Sequence, residues 1–281
     1  MTFQRNLRNI LVGGIAFAVT VFMFSGCSSQ KSKIGNEDEA EQVYVPPGKH
    51  DTFYSFMSGG WTGNVSVYGI PSGRHLYTIP VFSADPTDGY GYTEETKDML
   101  NTSYGWIPWG DTHHVQLSKS NGLYDGRWLF VNDRNGHRIA RIDLKTFRTD
   151  EILEIPNTAG NHASPFCSSN TEYISAMTEY SIPLPKPLGN GVDVPIASYK
   201  KNFRAVQTMV KVDPQNGHMK VAFQIIVPPF DYDLGRFGLG MSKDWVFYTC
   251  YNSEEAHSLL EVNASQKDKD FVLAINWKKA V

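Results

Sequence analysis

Two adjacent imidazoles stand in the run Asp111-Thr112-His113-His114, and a third, His162, lies well beyond them in Thr158-Ala159-Gly160-Asn161-His162-Ala163. Three imidazoles suit copper, zinc or iron better than magnesium or calcium, which prefer oxygen. In a regular strand neighbouring side chains point to opposite faces, so the pair can serve one metal only where its strand has ended in a turn or loop. Pro108-Trp109-Gly110 reads as that ending. Asp111, two places before His113, is positioned to accept the second N–H of that ring and fix its tautomer, as carboxylates behind metal ligands commonly do. On spacing alone, the same residues also describe a histidine pair that packs and caps strands. His137 and His218 follow Asn-Gly pairs, the strongest short hairpin signal, and are expected at solvent-facing turns. His50, His75 and His257 lack catalytic company. A zinc hydrolase would need a carboxylate base beside the imidazoles, with Asp111 the one candidate, while Tyr124-Asp125-Gly126 and Ser164 have no partners at a triad spacing.

The elements that must position these residues are strands. Four segments share a plan of alternating apolar strand, turn with Pro, Asp or Asn, and second alternating strand: Val65 to Phe82, His137 to Pro156, Thr208 to Pro228, and Phe271 to Val281. Aligned on Ile70, Ile142, Val212 and Ile275, they recur at long and nearly even intervals. Further strand-like runs precede three of them, at Trp128 to Asn132, Tyr173 to Glu179 and Trp245 to Tyr251. Four short strands per period predict an all-β fold, a β-propeller whose blades repeat around an axis. Loops on one face of successive blades would then bring His113, His114 and His162 to that axis. The fourth hairpin stops at Asn276-Trp277-Lys278-Lys279, before its return strand, so the chain is expected to be an N-terminal fragment, incomplete at the C-terminus. One helix is expected at Ser253 to Leu260, with a capping Ser and two acids in its first turn.

Arg5 and Arg8 precede an uncharged apolar run from Ile10 to Phe24, a signal-peptide core too short to span a bilayer comfortably. Ser25-Gly26-Cys27 resembles a bacterial lipoprotein cleavage box with Cys27 as the lipidated residue; ordinary secretion with cleavage nearby is the alternative. Residues 1–26 are thus expected to be a signal peptide and 27–50 a polar tether, with a partial propeller over 51–281. The protein is expected in the periplasm or exported, and a lipid on Cys27 would hold it at a membrane. Cys167 and Cys250, far apart in the chain, read as buried free thiols. A hydrophobic content of 41% supports a real core and excludes disorder. The net charge of −3 falls to −5 without the two arginines of the leader, which argues against a nucleic-acid partner.

Several stretches together resemble the nitrous-oxide reductases in their Sec-exported branch. They are Ser58-Gly59-Gly60-Trp61-Thr62-Gly63-Asn64-Val65, Ile70-Pro71-Ser72 through Ile79-Pro80-Val81-Phe82, Gly110-Asp111-Thr112-His113-His114-Val115, Tyr124-Asp125-Gly126-Arg127-Trp128-Leu129-Phe130-Val131-Asn132-Asp133, Ile152-Leu153-Glu154-Ile155-Pro156-Asn157 and Cys250-Tyr251-Asn252-Ser253-Glu254. The resemblance implies a seven-bladed propeller holding CuZ, a cluster of four coppers and sulfide bound by seven histidines. His113, His114 and His162 match the first three ligands and Asp111 a residue behind them. It also implies a CuA site in a C-terminal cupredoxin domain that this chain does not contain, and a calcium site at Tyr251, Glu254, Asp268 (Asp270 being its near alternative) and the Val262 carbonyl. A helix cap at Ser253 and Glu254 is the competing local reading. The implied activity is two-electron reduction of nitrous oxide to dinitrogen and water, by a head-to-tail homodimer supplied by a cytochrome or cupredoxin donor, with the chain alone inactive. The rival from another class is an exported propeller lipoprotein that binds a glycan or protein.

Overall fold

Val65 and Val67 point into the protein while Asn64, Ser66 and Tyr68 point partly outward, the period of two that the sequence led one to expect of a strand. The structure, a computed structural model, describes residues 36–183, 199–251 and 269–281. The chain divides into a first unit that ends at Tyr44 and a second from Val45 onward. In the first unit, helix Asn36–Val43 occupies part of the stretch expected to be tether, and its described side chains are exposed.

The second unit is built from antiparallel sheets. The first holds β1 (Phe53–Ser58), β2 (Asn64–Ile70) and β3 (His75–Pro80). A small ribbon of β4 (Asn101–Thr102) and β5 (Gly105–Trp106) follows. The second large sheet runs β6 (Thr112–Ser120), β7 (Leu123–Asp133), β8 (Arg138–Asp143) and β9 (Arg148–Glu154). The third joins β10 (Phe166–Cys167), β11 (Tyr173–Met177), β13 (Phe203–Val212) and β14 (Met219–Val227), with β12 (Ile182–Pro183) beside β13. The fourth is β15 (Asp231–Phe237), β16 (Trp245–Tyr251) and β17 (Asp270–Asn276). The first three expected hairpins are present, and the fourth, expected to stop before its return strand, is β17 followed by a single 3-10 turn at Trp277–Lys279.

Packing identifies the arrangement. Along β7, Trp128 and Phe130 enter a core shared with the third sheet, whereas Leu129 and Val131 enter a core shared with the first. Along β11, Ile174 and Ala176 face the second sheet, and Met177 belongs to a core shared with the fourth. A strand whose two faces feed two different cores lies in a sheet stacked between two others. The leading strands β6, β10 and β15 neighbour one another, and the trailing strands β3, β9 and β14 do likewise. Four sheets therefore succeed one another around an axis as blades of an incomplete β-propeller, all-β as expected. Cys167 and Cys250 are free and buried, and burial raises the Cys167 thiol to about 12 and Cys250 to about 11.

Candidate metal centre

The start of β6 is fastened to the first blade by Thr112. Its N–H donates to the Gly60 carbonyl (3.0 Å), its carbonyl accepts from Gly60 N–H (3.0 Å), and its hydroxyl donates to Asn64 O (2.7 Å). Gly110 just before it allows this close approach, since a Cβ there would lie 2.6 Å from that of Phe82 and 2.7 Å from Asp133 Oδ2.

His113 and His114 follow within β6 itself, which corrects the expectation that the strand must have ended. Thr112 pairs with Asp133 and Val115 with Val131, so the register slips across the histidine pair. This β-bulge breaks the alternation locally and turns both rings to one side, the device a turn was expected to supply. Their ring centres are 4.5 Å apart. His162 comes from the loop between β9 and β10, with its ring centre 4.6 Å from that of His113 and 5.0 Å from that of His114. One nitrogen from each ring lies within 4.8 Å of the others.

The far nitrogens are anchored. His114 Nδ1 contacts the His162 carbonyl at 2.8 Å; a carbonyl only accepts, so Nδ1 carries a proton, and in the neutral tautomer this selects, Nε2 is the nitrogen with the lone pair. His162 Nδ1 lies 3.1 Å from Asp233 Oδ1 and 3.9 Å from Glu179 Oε1, which leaves its Nε2 facing His113 Nε2 at 2.9 Å. Burial pushes the His162 imidazole down to about 4, and burial with the neighbouring His114 and Arg134 lowers His113. Both rings are therefore neutral near pH 7, the form that ligates a metal. Three imidazoles with converging nitrogens fit a copper centre by donor chemistry.

Asp111 is buried beside the cluster, and its charge acts on His113 through space. The hydrogen bond expected between them is not among those of the described residues. Asp111 instead accepts from Asn135 Nδ2 (2.8 Å), its N–H donates to Asp133 Oδ1 (2.9 Å), and burial raises its carboxyl. The carboxylate that holds a ring nitrogen is Asp233, which spacing did not single out. It sits at a second register slip, between Tyr232 and Gly235 of β15.

The end of β7 organises the rest. Asn132, completely buried, accepts the His114 N–H on Oδ1 (2.6 Å) and donates from Nδ2 to the Asn161 carbonyl. Asp133 forms a buried ion pair with Arg138 (2.6 Å), whose guanidinium also donates to the Ile107 and Trp109 carbonyls. Arg134 pairs with Glu179 (2.8 Å), and its carbonyl accepts from Asn161 N–H (2.8 Å). The one signal in the sequence was an amide closing the apolar run Trp128 to Val131.

His218 lies at its expected hairpin, exposed and 2.8 Å from Glu151. His137 is at its turn but half-buried, against the expectation of full exposure, because Glu154 (3.0 Å) and the Tyr104 ring hold it to the blade. Of the expected calcium ligands, Tyr251 ends β16, with its phenol raised by burial and then by the nearby Asp231 and Asp233; Glu254, Val262 and Asp268 lie outside the described residues. Cys27, the leader and the helix expected at 253–260 also lie outside them.

No protein-family model matches the chain. The nitrous-oxide reductase of Pseudomonas fluorescens is 34% identical over 267 residues, 94% of this chain and 39% of that protein. The nitrous-oxide reductase of Stutzerimonas stutzeri is 31% identical over 270 residues, 96% and 40% respectively. Among solved structures, the Kuenenia stuttgartiensis hydrazine synthase aligns with 81% of this chain and 49% of that one at 12% identity and a TM-score of 0.49. A likeness that distant says nothing of the chemistry. The chain spans about two fifths of the length of the curated relatives it matches and, over nearly all of its own length, is similar to nitrous-oxide reductases.

Proposed function

We propose that His113, His114 and His162 are ligands of a copper-sulfide centre, CuZ, at which nitrous oxide is reduced to dinitrogen and water. The observation that carries this reading is the convergence of three imidazole nitrogens within 4.8 Å on a chain similar to nitrous-oxide reductases. When bound, such a cluster supplies the two electrons that an inert, weakly ligating molecule needs. The residues do the positioning. The bulge of β6 presents two rings to one point, and the His162 carbonyl keeps the His114 proton on Nδ1. Asp233 orients His162, and the buried Asp111 adds negative charge beside His113. The half-buried rings lie among Phe166, Asn132 and Glu179, which limits the water that reaches them.

The remaining copper ligands, CuA, a cytochrome or cupredoxin donor and a head-to-tail dimer complete the proposal. So do a leader with Cys27 as lipid anchor, export, and a calcium ion at Tyr251, Glu254, Val262 and Asp268. The test is copper reconstitution of the full-length protein, followed by sulfide-dependent visible absorption. Wild type should develop the band and His114→Ala should not. A normal band in His114→Ala would remove it from the ligand set, and no band in wild type would overturn the copper reading.

A further inference from the structure

The His162 carbonyl is a crowded acceptor. Ser164 N–H donates to it at 2.7 Å and His114 Nδ1 at 2.8 Å, while Asn132 Nδ2 lies 3.4 Å away. Two of the three rings are tied to that oxygen: it sits on the main chain that carries the His162 ring, and it takes the proton of His114 Nδ1. The backbone carrying it comes from a loop, which has no ladder of its own to fix it to the bulged strand. Besides the ring contact of His114 itself, one side chain bonds to both segments. Asn132 takes the His114 N–H on its oxygen and gives its amide protons to the Asn161 and His162 carbonyls. Only a side chain with donor and acceptor on one planar group bridges both segments in this way. It is 0% exposed, so these bonds compete with no solvent, and losing one strands a buried partner.

We propose that Asn132 is a positioning residue for the metal centre, holding the His114 strand and the His162 loop in one register and thereby fixing the His114 tautomer. This rests on reading the three imidazoles as a metal site. Asn132 reaches the metal through other residues, so its loss weakens the site without removing a ligand.

The test compares wild type, Asn132→Ala and Phe130→Ala in the full-length protein, with copper(I) supplied from a chromophoric chelator as probe and the ring nitrogens of the metal-free protein read by ¹⁵N NMR. Phe130 is a neighbouring core residue that makes no bond to the site, so its variant controls for lost stability. Wild type and Phe130→Ala should show His114 protonated on Nδ1 alone. Asn132→Ala should show a mixture of tautomers and bind copper(I) roughly 10–100-fold more weakly, the usual effect of losing an outer hydrogen-bonding partner. An unchanged tautomer and unchanged affinity in Asn132→Ala, or the same loss in Phe130→Ala, would overturn the proposal. If Asn132→Ala does not fold, the wild-type spectrum decides: a mixed His114 tautomer refutes the clamp, and a single one with slowly exchanging Asn132 amide protons supports it. Failure of wild type to bind copper(I) at these rings would sink the copper reading, and the tautomer would still decide the role of Asn132.

Discussion

At the scale of single residues, the cluster depends on charged groups that never touch it. Asp133 and Arg138 form an ion pair with side chains 1% and 4% exposed, and between them they hold the Ile107, Trp109 and Asp111 backbone that leads into β6. Arg138→Ala leaves a buried carboxylate without its counter-charge and should cost about 3–5 kcal/mol in denaturant unfolding. A cost under about 1 kcal/mol would show that water reaches Asp133 readily. Asp125 gives a pH-dependent case. Burial alone would raise its carboxyl, but hydrogen bonds from Arg127, Ser118 and Ser120 outweigh burial and lower it to about 2. A carboxyl lower in the folded than in the unfolded chain stabilises fully above the unfolded value near 4 and loses that contribution as pH falls towards 2. The stability gap between wild type and Asp125→Asn should therefore narrow from pH 5 to pH 2.5. A gap independent of pH would mean that the ionised form contributes nothing.

At the scale of elements, two bulges on leading strands do the aiming. The slip in β6 turns His113 and His114 to one side, and the slip in β15 lies at Asp233, which meets His162. Around them the blades stay regular, because alternate residues of β7 and β11 must fill two cores at once. This predicts a contrast along β7. Phe130→Ala opens a cavity between the second and third blades and should cost about 3–5 kcal/mol. Tyr124→Ala, at the exposed end of the same strand, should stay within about 0.5 kcal/mol. Thermal or urea unfolding distinguishes them, and comparable costs would contradict the stacked-blade packing.

At the scale of the whole molecule, three imidazoles set the expectation. The relatives are roughly two and a half times as long, and a four-copper centre of the kind proposed would need more ligands than the three imidazoles that converge among the described residues. A polypeptide of residues 27–281 should therefore show no nitrous-oxide turnover with dithionite-reduced viologen as donor. Measurable turnover would mean that His113, His114 and His162 suffice.

The repeat of strand hairpins and the buried thiols were legible in the sequence, because alternation, turn residues and residue type are local properties; for the three histidines, spacing left a packing pair equally open, and the resemblance supplied the ligand set. The nearly even recurrence of Ile70, Ile142, Val212 and Ile275 was enough to predict blades. The bulge in β6 was not legible: a register slip depends on which partner residue Val115 meets, and that partner lies on β7, across a hairpin. The same holds for Asp233 and Asn132, which meet His162 from other blades, far from it in the chain. Asp111 shows the converse. Its place beside His113 follows from spacing, but its hydrogen bond goes to Asn135, because the turn after β7 brings that amide closer. Which residues are polar and which apolar is written along the chain, whereas which carboxylate faces which ring is decided only when separate blades close against one another.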